Sequence, residues 1–481
     1  MIISVFISLG CFIGVIILII TGKLNRAIAS LAGAVIVYFV LIYLENKDFK
    51  IILDLLFGSE SEGFVNLHSL ILIIGMMFIV EISKEAGLFQ FIALNLIKLS
   101  KGKPLYLMSI FCIITIFISA ILNNILTVII LIPLTITVSR ILNVNPSPYI
   151  LTQAILVNIG GTFFTISSIP NILISTYAEI PFLAFFLNVG VLSLIIFVFT
   201  LVFFIFIFKK ALQVPQEGID ILMEFNVWNF VPDKKLLFKS LTVLITLFVL
   251  FIIIPTSLVS TDIIALLMAV ILIIISRLDP KQIISKIDFE LIFYLLGIFV
   301  IAGALDVLGV VQILGTSMAS ISGGSVFFQV LIILWFSAFL SSAIDNIPIT
   351  KVLIPVIGTI SGNFPANVGQ QFYYSLAIGA NWGDNLTPMG DNILVVQISE
   401  NNKRPISFRQ FFKIGFFTTI YQLILVSIYY TLIFNFSMGI IIVLFILVCL
   451  IIIYLLNNIG PKPLRDRIGK TINRVRKYFI E

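Results

Sequence analysis

ISAILNNILTVIILIP, Ile118 to Pro133, and LSSAIDNIPITKVLIP, Leu340 to Pro355, decide the fold of this chain. Each drops a short polar step into an aliphatic run, Asn123-Asn124 in the first and Asp345-Asn346 in the second. They stand 222 positions apart, so that Ser119 meets Ser341, Asn124 meets Asn346 and Pro133 meets Pro355 without a gap. The same offset joins Gly75 to Gly297, Gly87 to Gly309, Gln90 to Gln312, Gly161 to Gly383 and Thr165 to Thr387. One match is accident; a constant offset joining glycines, amides and a proline over residues 75–165 is an internal repeat.

The surrounding composition fixes the solvent. Apolar residues make up 60% of the 481 and charged residues 11%, against roughly 45–50% and 25% in soluble domains; the mean hydropathy is +1.20. Apolar runs of the length that spans a bilayer, about 20 residues, recur throughout. The first, Met1 to Ile20, lacks a basic flank and a small-residue cleavage site and reads as a retained helix. The formal charge of +6 sits in short loops and a tail, which marks membrane flanks rather than nucleic-acid binding. Cys11, Cys112 and Cys449 lie inside apolar runs with no metal or disulfide spacing. No phosphate-binding lysine loop, hydrolase elbow or metal-ligand cluster appears, so the reading is no enzyme and no cofactor.

Basic flanks set the topology: an all-α polytopic membrane protein of two inverted repeats, with the N-terminus outside and the C-terminus cytoplasmic, in the plasma membrane. The first repeat covers 1–208. Its residues 66–80 cross inward, 82–99 form an interfacial helix, 105–139 form a re-entrant hairpin and 150–178 a broken helix. Glu81 and Lys84 are grouped with the interfacial helix. A cytoplasmic linker covers 209–239. The second repeat covers 240–434, with a hairpin at 325–361 and a broken helix at 371–400. A further span covers 438–457, and a basic tail, 461–481, lies on anionic cytoplasmic lipid.

The breaks carry the chemistry. They read NIGGTFFTISSIPN, Asn158 to Asn171, and GANWGDNLTPMGDN, Gly379 to Asn392. Unpaired backbone cannot face lipid, so such segments line a cavity or are buried in protein. Half-helix N-termini present free N–H groups, and unwound carbonyls suit Na⁺ or H⁺. Any single break is as well explained by a kinked helix; four at repeat-related positions point to one ion site. Its candidate ligands include Asn158, Gly160, Gly161 and Asn381, with Na⁺ expected at Asn124, Asp345 and Asn346. Asp345, Asp384 and Asp391 each cost roughly 2.5–3.5 kcal/mol at mid-membrane and so need a partner or a function. Lys351 either neutralises one of them or snorkels to the interface. His68 reads as solvated, Glu290 as facing the inner interface, and no arginine stands near the tips.

At these motifs, and at LHSLILIIGMMFIVEISKEAGLFQFIA from Leu67, the sequence resembles the ion transporter superfamily. The branch is that of NhaD-type sodium/proton antiporters, arsenite permeases and the pigmentation P protein, with a citrate-transporter-like domain. The resemblance covers about residues 60–430. It implies a scaffold plus an elevator-type transport domain and a homodimer. It also implies ion-binding roles for Asn123, Asn124, Thr127, Gly161, Thr162, Asn171, Asp345, Asn346, Asn385 and Thr387. The sequence departs from that pattern in its Asn-Asn first tip and its acidic second break. The expectation is secondary active transport coupled to Na⁺ or H⁺, including plain sodium/proton antiport. The alternatives are cation-coupled transport of a small anion (a carboxylate such as citrate or an oxyanion such as arsenite), and an ion channel or structural membrane protein.

Overall fold

The computed structural model describes residues 2–101, 103–209, 224, 226–388, 392–459 and 461–480, and among them it contains helices and no strand. In the first half α1 is Ile2–Ile20 and α2 is Arg26–Phe39, followed by α3 (Ile51–Phe57), α4 (Val65–Glu85), α5 (Leu88–Leu99), α6 (Pro104–Ser119) and α7 (Asn124–Ile141). Then come α8 (Ser147–Gly160), α9 (Ile169–Tyr177), α10 (Phe182–Phe185) and α11 (Val191–Phe208). In the second half α12 is Lys234–Ile253, α13 Thr261–Ser276, α14 Pro280–Ser285, α15 Phe289–Val307 and α16 Val310–Ile321. They are followed by α17 (Val326–Ala343), α18 (Asn346–Ser361), α19 (Ala366–Gly383), α20 (Ile393–Asn401), α21 (Phe408–Phe434), α22 (Phe436–Asn458) and α23 (Lys462–Ile480). Ten helices among the described residues are long and apolar enough to cross a membrane. The chain is a multi-pass membrane protein.

Local chemistry explains the short elements. Pro104 starts α6, where its missing N–H costs nothing. Asn123 ends the turn and caps α7, its Oδ1 accepting from the Leu126 N–H at 2.9 Å. Ser168 does the same for α9 and Asp288 for α15. Helices α6 and α18 have 16 residues each, a rise of about 24 Å, short of the ~30 Å hydrocarbon core. Helices α6 and α7 lie along α8, and α17 and α18 lie along α19, so each hairpin clasps a broken helix. Facing them is a wall in which α2 packs on α15 and α4 on α13.

Three sequence expectations change. The interfacial helix expected over 82–99 is two elements, because α4 continues to Glu85 and Gly87, at φ 74°, turns the chain before α5. Gly309, at φ 79°, makes the same turn before α16; only glycine takes that conformation without strain. Glu81 and Lys84 therefore ride the last turns of a membrane helix, and Glu81 is only 5% exposed. The linker expected over 209–239 is cut short: α12 begins at Lys234, capped by Asp233, which accepts from the Lys235 N–H at 2.8 Å. Its residues 210–223 and 225 lie outside the described residues.

Candidate ion-binding site

Asparagines build this site. Asn124, the first residue of α7, donates to Asn158 Oδ1 on α8 at 2.6 Å. Asn158 donates onward to Asn385 Oδ1 at 2.7 Å, crossing from the first half to the second. Asn385 donates to the Ile155 carbonyl at 2.9 Å and so returns to α8. A parallel link runs from Asn381 on α19 to Asn171 Oδ1 on α9, at 2.9 Å. Asn171 closes the first break by donating to the Gly161 and Phe164 carbonyls, at 2.7 and 3.0 Å. Asn392 plays that part in the second, donating to the Asp384 carbonyl at 3.0 Å. A third cross-link is Trp382 Nε1 donating to Thr162 Oγ1 at 3.1 Å. The two breaks thus hold each other through buried side chains rather than through regular helix packing. Gly161 leaves room for this: a Cβ there would come within 2.8 Å of Asn124 Oδ1.

Not every group in the cluster is satisfied. Among the described residues, the buried oxygens Asn124 Oδ1, Asn381 Oδ1, Asp345 Oδ1 and Glu81 Oε1 have no hydrogen-bond partner. A buried acceptor without a donor is costly, and it is the kind of oxygen that takes a hard monovalent cation.

Beside the cluster lies a cavity of about 80 Å³ that both hairpin tips line, through Asn123 and Asn124 on one side and Asn346 on the other. Helices α7, α9 and α18 all begin on it, so three positive helix ends border one small space, with the Leu126 and Asn171 N–H groups already taken by the Asn123 and Ser168 caps. Arg26, Glu81 and Asp288 complete the wall side. Arg26 is the main residue that sequence reasoning missed, and it corrects the expectation that no arginine stands near the tips. Its Nη2 meets Asp288 Oδ2 and its Nε meets Glu290 Oε1, both at 3.0 Å, and its guanidinium lies 5.9 Å from the Tyr294 ring centre. Tyr294 in turn donates to Asp345 Oδ2 at 3.5 Å. Asp345, Tyr294 and Arg26 also line a second, largely aliphatic cavity of about 500 Å³ against α1. At the rim, Lys286 donates to Glu85 Oε1 at 2.6 Å, and this bond raises its ammonium above the ordinary lysine value.

The remaining candidates fall into place or apart. Thr127 bonds its own helix at Asn123 O and Thr387 bonds Ser342 O. Gly160 lets α8 approach Ser119, where a Cβ would come within 2.7 Å. Asp384 is buried in the second break, and Asp391 lies outside the described residues. Lys351 makes no ion pair among the described residues; its Nζ donates to Asn66 and sits 4.7 Å from the Phe299 ring centre. Neutralisation of a site aspartate by Lys351 is thus not what the geometry offers. Nor is His68 merely solvated: its Nδ1 lies 2.9 Å from Oδ2 of Asp262, a buried carboxylate.

The sequence profile of a family described as citrate transporter matches residues 16–379 and 248–468. A 46 kDa membrane protein of Mycobacterium leprae is 29% identical over 426 residues, covering 88% of this chain and 97% of its own. An uncharacterized transporter of Mycobacterium tuberculosis is 28% identical over 428 residues, with the same coverage. The P protein of Sus scrofa is 24% identical over 483 residues, covering 84% of this chain and 56% of its own.

Proposed function

The chain belongs to the citrate transporter family and is a membrane transporter, and from that premise we propose that it is a secondary active carrier of a small anion driven by Na⁺ or H⁺. The observation that carries this reading is that two opposite kinds of group stand side by side, unsatisfied amide oxygens in the asparagine cluster and helix starts on the cavity beside it. Asn124 Oδ1 and Asn381 Oδ1 are acceptors without donors, which favours a desolvated cation. The starts of α7, α9 and α18, with Arg26, offer N–H groups and positive charge, which favours an anion. Each ion lowers the electrostatic cost of holding the other, and that mutual dependence is what coupling requires.

Alternating access follows from the hairpins and breaks sliding as one body past the wall of α2, α4, α13 and α15. Three side-chain bonds across the halves support that unity. The carrier works as a homodimer in the plasma membrane, with its N-terminus outside and its C-terminus in the cytoplasm.

One observation favours a second reading, plain sodium/proton antiport. Asp345 Oδ1 is a carboxylate oxygen without a hydrogen-bond partner among the described residues, and carboxylates within the membrane commonly serve proton relays; Glu81, by contrast, is paired with Lys84 at 2.7 Å. Proteoliposomes separate the two. Na⁺- or pH-driven uptake of labelled acetate, succinate or citrate, lost in Asn124→Ala and Arg26→Ala, is the expected result. Na⁺-induced proton flux without any anion, lost in Asp345→Asn, replaces it with the second reading. Absence of both overturns each of them.

A further inference from the structure

Charge is unevenly placed along this chain. From Lys462 to Glu481 there are seven basic and two acidic residues, which accounts for five of the formal net +6. Within α23, Arg467, Lys470, Arg474 and Lys477 recur at steps of three and four, which puts them on one stripe of the helix. All four are exposed. The opposite side carries Ile468, Ile472 and Phe479 toward the protein, and Phe479 is buried.

The end of the helix is fastened. Phe479 meets Phe417 edge-on at 5.6 Å between ring centres. Arg476 Nε donates to the Phe206 carbonyl at 2.9 Å and its guanidinium lies 4.6 Å from that ring's centre. Lys413 Nζ donates to the Tyr478 carbonyl at 3.3 Å and sits 4.4 Å from that ring's centre. These anchors stand at the last turn of α11 and the first turns of α21. Two residues past Lys413, Gly415 abuts the second break so closely that a Cβ would come within 2.3 Å of the Asn385 carbonyl. A path of direct contacts therefore runs from α23 through the start of α21 to the asparagine cluster.

We propose that the stripe is a binding surface for anionic phospholipid headgroups, and that its occupancy is transmitted through α21 to the second break. The location selects lipid over a soluble anion. The stripe lies where α11 ends, α21 begins and α22 ends, at the edge of the bilayer, within reach of the negative surface potential. Four basic side chains on one face of an amphipathic helix match a sheet of headgroups. This inference does not depend on which ion the protein carries.

Hydrogen exchange on the full chain in lipid nanodiscs tests it without a transport assay. The comparison is phosphatidylcholine alone against phosphatidylcholine with about a third phosphatidylglycerol. The anionic lipid slows exchange over 462–480 by about tenfold or more and alters exchange over 384–388 and 408–416. The combined Arg467→Gln, Lys470→Gln, Arg474→Gln and Lys477→Gln variant loses that lipid dependence and keeps its unfolding temperature in phosphatidylcholine. Phe479→Ala retains lipid-dependent protection early in α23 and loses the response at 408–416. Equal exchange in the two lipids overturns the binding surface. Protection of α23 with no response over 384–416, or a response that survives Phe479→Ala, overturns the path.

Discussion

The two hairpin tips share a plan and differ in what they hold. At the first, Asn123 caps its own helix and Asn124 reaches inward to Asn158, so the tip is neutral and tied to the broken helix it covers. At the second, Asp345 stands in the cap position of α18 without making a side-chain cap bond. Its Oδ2 reaches outward to Tyr294 on the wall helix α15 instead. One tip is built into the body of the site and the other touches the surface that the body faces. The Asn-to-Asp difference between positions 123 and 345 thus goes with different contacts, to the tip's own helix in the first and to the wall helix in the second.

This contrast can be broken at four points. Removing Asn158 should do the most damage, because Asn158→Ala leaves Asn124 Nδ2 without its bond and Asn385 Oδ1 with only the longer one from Asn392, at 3.3 Å. At about 1–3 kcal/mol for the orphaned group and about 0.5–1.5 kcal/mol for the lost bond, a loss of roughly 1.5–4.5 kcal/mol is expected, read as a fall in unfolding temperature in detergent; an unchanged value would mean the halves are held together elsewhere. The next test compares close approaches in the two breaks. A Cβ at Gly383 would meet the Ala338 backbone oxygen at 2.2 Å, whereas at Gly161 it meets only a side-chain oxygen at 2.8 Å. Gly383→Ala should cost about 3 kcal/mol and Gly161→Ala about 1 kcal/mol; equal costs would erase the asymmetry.

Asp345→Asn keeps the shape and removes the charge of the outward-reaching tip. Transport should fall about tenfold or more, about 1.4 kcal/mol in the barrier, while the unfolding temperature holds or rises because a partly unpartnered carboxylate is neutralised. A parallel fall in both would make Asp345 a structural residue. The smallest effect belongs to the rim pair of Lys286 and Glu85, with side chains 43% and 37% exposed. Lys286→Ala should change stability by no more than about 0.5 kcal/mol. The pair raises the lysine's pKa, so its contribution is complete below the unfolded value of about 10.4 and fades only above it. A stability scan from pH 6 to 9 should therefore be flat for this pair.

Much of the backbone plan was legible because its signals are local. Basic flanks at both ends of an apolar stretch, with Asn-Asn between them, describe a hairpin before any coordinates exist. The breaks announced themselves through glycine, proline and amides in segments that otherwise read as spans. The wall side was not legible, for a reason that Arg26 illustrates. The rule that places basic residues in loops explains Arg26 completely, so nothing in the sequence asks for a further role; only packing of α2 on α15 brings it to Asp288, Glu290 and Tyr294. Glu81 was lost to a boundary error of a few residues at Gly87. Asn392 was visible as the last letter of the second break, one residue short of the offset that matches Asn171. Lys351 shows the converse limit, since sequence spacing to Asp345 says little about direction on a helix, and its Nζ finds Asn66 instead.

The bond from Asn158 to Asn385 spans 227 positions of chain. A ribosome adding about 5–20 residues per second delivers the second asparagine roughly 10–45 s after the first. For that interval the early half already sits in the bilayer with the buried ends of its amides unmet, and Asn171 waits in the same way for Asn381. Water, the insertion machinery or a provisional packing of the first hairpin must occupy those groups until the second half is made.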